Sequence, residues 1–81
     1  MAIVIARSLL REMLTPAPDG VNRIFWTSYG YFSGTVSIWR NGVRLVADWD
    51  TGYSELGGRQ IQMKEAPLAG DSLSAQYEAQ P

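Results

Sequence analysis

The tripeptide Asp50-Thr51-Gly52 is the sharpest chemical lead in this chain of 81 residues. Aspartic proteases use those residue types where two carboxylates, one from each half of an all-β enzyme, share a proton because both cannot ionise at close range. Such an enzyme also needs a flap hairpin and a supporting turn further along, and most of the sequence after Gly52 reads as two strands. Aspartate and glycine are ordinary turn residues, so the tripeptide reads as a turn. A second lead lies beside it in Asp48, Asp50, Ser54 and Glu55, since hard cations take clustered oxygen ligands at alternate loop positions. The match to a helix-flanked calcium loop fails: Gly52 occupies a ligand position, Tyr53 stands where the turning glycine belongs, and the flanks look like strands. A solvated acidic turn is the simpler reading.

Other chemistries are poorly supplied. With neither histidine nor cysteine in the chain, the usual serine or thiol arrangements lack a base or a nucleophile, and a structural zinc site lacks its ligands. Glycoside hydrolysis needs two carboxylates in a cleft, for which a thin sandwich has little volume. The glycines at 30, 34, 57 and 58 do not fall at dinucleotide or phosphate-loop spacings. No catalytic residue, metal or cofactor is expected.

Aromatic residues are the other conspicuous feature, with five rings in the nine residues of Ile24–Phe32, "IFWTSYGYF". In a strand, Phe25 and Trp26 point to opposite faces, so only one can enter a core on one side of a sheet. Trp39 shares a face with Thr35 and Ser37, opposite Val36 and Ile38, and Trp49 adjoins the acidic turn. Tryptophan and tyrosine at a surface stack on sugars or anchor protein interfaces, because each joins a broad apolar face to a polar tip. We assign Phe25 and Tyr77 to the core. Trp26, Tyr29, Tyr31, Phe32, Trp39 and Trp49 are the candidate binding residues, for protein or, alternatively, for carbohydrate.

The elements that must position these rings are short strands. "TVSIW" alternates with period two and leads to Asn41-Gly42, the preferred pair for a type I′ turn because both central residues need positive φ, so a hairpin is expected there. "RQIQMKE" and "SLSAQYE" alternate as half-buried strands, joined by "APLAGD", a hairpin or corner connection. "VNRIFWT" and Tyr53–Leu56 add further strands, the latter between turns at Gly52 and Gly57-Gly58. Short strands at spacings of roughly 8 to 12 residues predict an all-β fold, a small antiparallel sandwich or partly open barrel of five or six strands. Residues 15–81 form this single domain. Residues 1–14 read as an N-terminal arm, strand or short helix: Ile3, Val4 and Ile5 favour a strand, whereas Arg7, Ser8, Arg11 and Glu12 fall on one side of a helical wheel.

At this length only about 60% of the unfolded chain's surface is buried on folding, and without cysteine there is no disulfide to reinforce it. Self-association or a partner is the expected extra support. The net charge of -1, from seven basic and eight acidic residues, provides no basic face for a phosphate backbone, and no stretch is apolar enough for a membrane span. Neither nucleic acid nor membrane is an expected partner, and synthesis in the cytoplasm is expected.

"DGVNRIFWTS", "GTVSIWRNGVRL" and "DTGYSELGGRQIQMKEAPLAGDSLSAQY", taken in order, resemble a β module of tailed-bacteriophage virion proteins. That module runs from an Asp-Gly-x-Asn turn through a Gly-Ser/Thr strand ending in Asn-Gly, an Asp-x-Gly-Tyr-x-Glu segment and an Ala-Pro-x-x-Gly-Asp turn to a last strand ending in tyrosine. The resemblance covers residues 12–78. It implies a structural or attachment unit of head, neck, tail or fibre, located in the virion, with capsid, neck or tail proteins and copies of itself as partners and no catalytic residues. Asp50, Gly52, Tyr53 and Glu55 then belong to a connection between strands. Trp26 and Trp39 depart from the module, where smaller or aliphatic residues are common, and the arm outside it could dock on a neighbouring subunit.

Overall fold

The computed structural model describes residues 8–50 and 52–80, an all-β sandwich of two antiparallel sheets. Its seven strands are β1 (Ser8–Met13), β2 (Ile24–Trp26), β3 (Ser37–Arg40), β4 (Val43–Arg44), β5 (Tyr53–Gly57), β6 (Gln60–Met63) and β7 (Leu73–Ala79). One sheet runs in the order β1-β7-β3-β4 and the other β2-β6-β5.

The hydrophobic pattern explains the pairing. Along β7, Leu73, Ala75, Tyr77 and Ala79 are buried while Ser74, Gln76 and Glu78 are half-buried on the other face, which is the period-two alternation of a strand with one face on a core. Across the gap, Phe25 pairs with Ile61 and Tyr53 with Met63, and all four are buried. Leu14, Tyr31, Val36 and Ile38 complete the interior with the inward residues of β7.

The part of the predicted arm from Ser8 to Met13 is a strand, not a helix, and pairs along its whole length with β7 of the same chain. A helix would gather Leu9, Leu10 and Met13 on one side; in the strand, Leu9 and Met13 face outward, whereas Leu14 just beyond enters the core. Sheet pairing overrides a local pattern that suits both periods. Residues 1–7, and with them most of the expected docking segment, lie outside the described residues, as does Thr51.

Asn41 and Gly42 have φ of 54° and 82° and close a two-residue hairpin between β3 and β4, as the Asn-Gly pair predicts. The connection "APLAGD" is a corner, taking the chain from β6 in one sheet to β7 in the other. Asp71 welds that corner to the hairpin: its carboxylate accepts from Leu68 N at 2.9 Å, Asn41 Nδ2 at 3.0 Å and Arg40 Nε at 2.9 Å. Asn41 answers with its own side-chain oxygen, accepting from Ser72 N at 2.8 Å. These bonds, that from Asn41 foremost, hold the Asp71 carboxyl below its ordinary value of 3.8.

Asp19 is lowered similarly by the amides of Asn22 and Val21 in its turn. At Glu12 burial acts upward, but the Ser28 amide, the Tyr77 hydroxyl and the charge of Arg59 outweigh it and leave the carboxyl below its ordinary 4.5. All three shifts have the same sign: the native state favours the ionised form, so the contribution is complete above the unfolded values and vanishes as pH falls through the native ones. The urea midpoint should therefore hold steady from neutral pH down to about 5 and fall increasingly below about 4.5. Asp71→Asn should lower the midpoint at neutral pH and flatten part of the acid decline; a midpoint constant down to pH 3 would contradict the assignment.

Candidate functional site

The surplus rings are distributed by strand parity. Trp26 lies opposite Gln60 on the outer face of the three-stranded sheet and is 40% exposed, with the Arg59 guanidinium 5.8 Å from its ring centroid. Trp39 lies opposite Ser74 on the outer face of the other sheet, and Arg11 reaches across β7 to place its guanidinium 4.4 Å from the Trp39 ring. The two tryptophans thus mark opposite sides of the sandwich. Tyr29 and Trp49 are exposed on separate loops, and Phe32, half-buried, donates its amide to Glu78 O at 3.0 Å along β7.

Tyr31 is a correction. Expected among the surface rings, it is 3% exposed. It bridges to Ala79, an inward position of β7, and so turns into the core, where it meets Tyr77 edge-on with ring centroids 6.4 Å apart. Its hydroxyl donates to Gln60 O at 2.6 Å and accepts from Gly57 N at 2.9 Å, the satisfaction a buried phenol requires. The six candidate residues therefore form no single site.

What the sequence did not reveal is the frame behind the aromatic loop. Glu12 Oε1 accepts from Tyr77 Oη at 2.8 Å and from Ser28 N at 2.6 Å, and Tyr29 N donates to the same Tyr77 oxygen at 3.3 Å. Burial, then the Glu12 carboxylate, pushes the Tyr77 phenol upward. Thr27, fully buried, donates to Tyr29 O at 2.5 Å, while Arg59 Nε donates to Thr27 O at 2.8 Å. Residues 26–29 are thereby presented on fixed backbone. Glu12 and Tyr77 are 65 positions apart, and no local signal links them.

The acidic segment is equally structural. Gly52 is buried beneath Val46, and its amide donates to Trp49 O at 2.8 Å. Asp48 adopts φ of 63° and accepts from Ser54 Oγ at 3.2 Å. Glu55 spans the two sheets: one carboxylate oxygen accepts from Gly34 N at 2.8 Å and the other from Val36 N at 3.4 Å. Among the described residues no group of three or more His, Cys, Asp or Glu converges to hold a metal ion. A cleft of about 660 Å³ runs beside these residues, lined in part by Val36, Arg44, Asp48, Tyr53 and Glu55. Its carboxylates face loop amides and a serine hydroxyl rather than each other. Glu55→Ala should cost about 1–2 kcal/mol in urea unfolding and speed hydrogen exchange at the Gly34 amide; unchanged exchange there would remove the staple.

Comparison of the chain with protein-family models, with curated proteins and with solved structures yields no match.

Proposed function

We propose that this chain is a non-enzymatic structural component of a tailed-phage virion, made in the host cytoplasm and assembled on head, neck or tail through protein–protein contacts with other virion proteins and with copies of itself. The observation that carries the reading is the placement of Trp26 and Trp39 on the two outer faces of the sandwich, each beside an arginine. Tryptophan and arginine are the residues that most often dominate interface energetics, and rings on both sides suit a unit held between neighbours. The carboxylates beside the cleft hold loops in place, which leaves them no converging pair for acid–base work. The order of turns and strands over residues 12–78 supports the same reading by resemblance. Carbohydrate stacking ranks second, since a guanidinium already occupies part of the surroundings of each tryptophan.

The test is the composition of purified particles. In virions of a phage encoding the chain, banded on a density gradient, quantitative mass spectrometry should find it at a fixed ratio to the major capsid protein. Its absence from infectious banded particles would overturn the proposal.

A further inference from the structure

Strand β1 is the outermost strand of its sheet, and its hydrogen-bonding parity can be worked out. Leu14 N donates to Leu73 O at 3.0 Å, so in the β1–β7 register, which pairs Ser8 with Ala79 through Met13 with Ser74, the even-numbered residues of β1 direct N–H and C=O toward β7. The odd-numbered ones, Leu9, Arg11 and Met13, direct theirs away from the sheet. Among the described residues β7 is the only strand that pairs with β1, and no turn or loop bond reaches these groups. The other edges are shorter or covered: Thr15 exchanges bonds with Trp26 at the end of β2, Asp48 N donates to Tyr53 O on β5, and β4 has two residues.

We propose that β1 pairs antiparallel with β1 of a second copy about a two-fold axis at Arg11, joining two four-stranded sheets into one continuous sheet. Three features select a second copy rather than an unrelated strand. The outward set is symmetric about Arg11, so the axis brings Leu9 opposite Met13 twice, and each opposed pair exchanges both backbone bonds. Leu9 and Met13 are 63% and 56% exposed, and facing each other they cover their apolar surface mutually. Arg11 on the axis would oppose its own copy, a like-charge contact that ordinarily disfavours pairing. Its guanidinium, however, is drawn inward over Trp39, away from the edge. The edge is thus apolar where charge or proline would normally protect it.

This deepens the proposed assembly role and rests on that reading for its setting. A six-residue edge spans only about 20 Å and buries less than a standard interface, so the isolated pair is weak and depends on concentration.

Sedimentation of the full chain from micromolar to millimolar concentration should show a monomer–dimer equilibrium. Hydrogen exchange supplies the specific signature: the amides of Leu9, Arg11 and Met13 should slow as concentration rises, while those of Leu10 and Glu12 stay protected throughout. Leu9→Lys and, separately, Met13→Lys should weaken dimerisation at least tenfold with an unchanged monomer fold, and Val43→Lys on the β4 edge should leave it intact. A monomer at every concentration, or dimerisation indifferent to both lysine variants, overturns the pairing. Neither result bears on whether purified particles contain the chain, so failure of this inference is distinguishable from failure of the virion reading.

Discussion

Replacing Gly52 by alanine should destabilise the protein by about 3 kcal/mol or more, at or beyond the upper end of ordinary overpacking. A β-carbon at this position would lie far inside van der Waals contact of the Val46 carbonyl oxygen, 3.0 Å from the Val46 carbonyl carbon and 3.3 Å from Trp49 N. The obstacle is backbone, not the end of a side chain, and it is held in place. Val46 O accepts from Trp49 N at 3.4 Å, Gly52 N donates to Trp49 O at 2.8 Å, and Gly52 O accepts from Lys64 N at 3.0 Å. Any retreat breaks one of these bonds or disturbs the start of β5. In a domain this small each kcal/mol moves the melting temperature by about 4–8 °C, so a fall of roughly 12–24 °C is expected by calorimetry. Gly30→Ala is the control, because its β-carbon would meet first the far end of a side chain, Gln80 Oε1 at 3.3 Å, and it should lose no more than about 1 kcal/mol. A Gly52→Ala protein with the parent's melting temperature would mean that residues 46–52 are packed differently.

The same crowding accounts for the glycine of the Asp50-Thr51-Gly52 tripeptide. Glycine stands at 52 because two backbone segments cross there, a reason independent of any catalytic carboxylate. Asp48 and Glu55 likewise serve Ser54 and the loop at Gly34–Val36. The sequence pointed correctly to a turn in this region but could not reveal how closely it folds back on itself, with Trp49 N bonded to Val46 O and Gly52 N to Trp49 O.

The fold was legible wherever the pattern had period two. β7 and β6 fall where alternation places them, and Asn41-Gly42 closes the expected hairpin. The expectation of five or six strands with an arm becomes seven strands because Ser8–Met13 contains apolar residues at spacings that fit strand and helix alike, and only a free side of β7 decides between them. Phe25 and Tyr77 were legible as core. Tyr31 was not, because the glycine before it obscures strand parity, and its inward direction follows from its bridge to Ala79. The Asp71 weld and the Glu12–Tyr77 frame join residues far apart in the chain, and a single sequence carries no trace of such pairs.

Phe25 and Trp26, adjacent and both large, should respond oppositely to truncation. Phe25 is 0% exposed and sits against Ile61 between the sheets, so Phe25→Ala removes a fully buried ring from the core and should cost about 3–5 kcal/mol. That is much of the stability of a domain this size, and urea unfolding should show a midpoint low enough to leave a measurable unfolded fraction in buffer. Trp26 lies one residue on and on the other face. Trp26→Ala gives up part of a half-covered ring and its contact with Arg59, worth about 1 kcal/mol at an exposed site, and should fold normally. Equal losses at the two positions would refute the assignment of faces, because parity alone separates them. The contrast also makes Trp26→Ala informative about function. With the fold intact, a drop in its incorporation into particles would report lost contact with a partner, whereas the same drop in Phe25→Ala would report only lost protein.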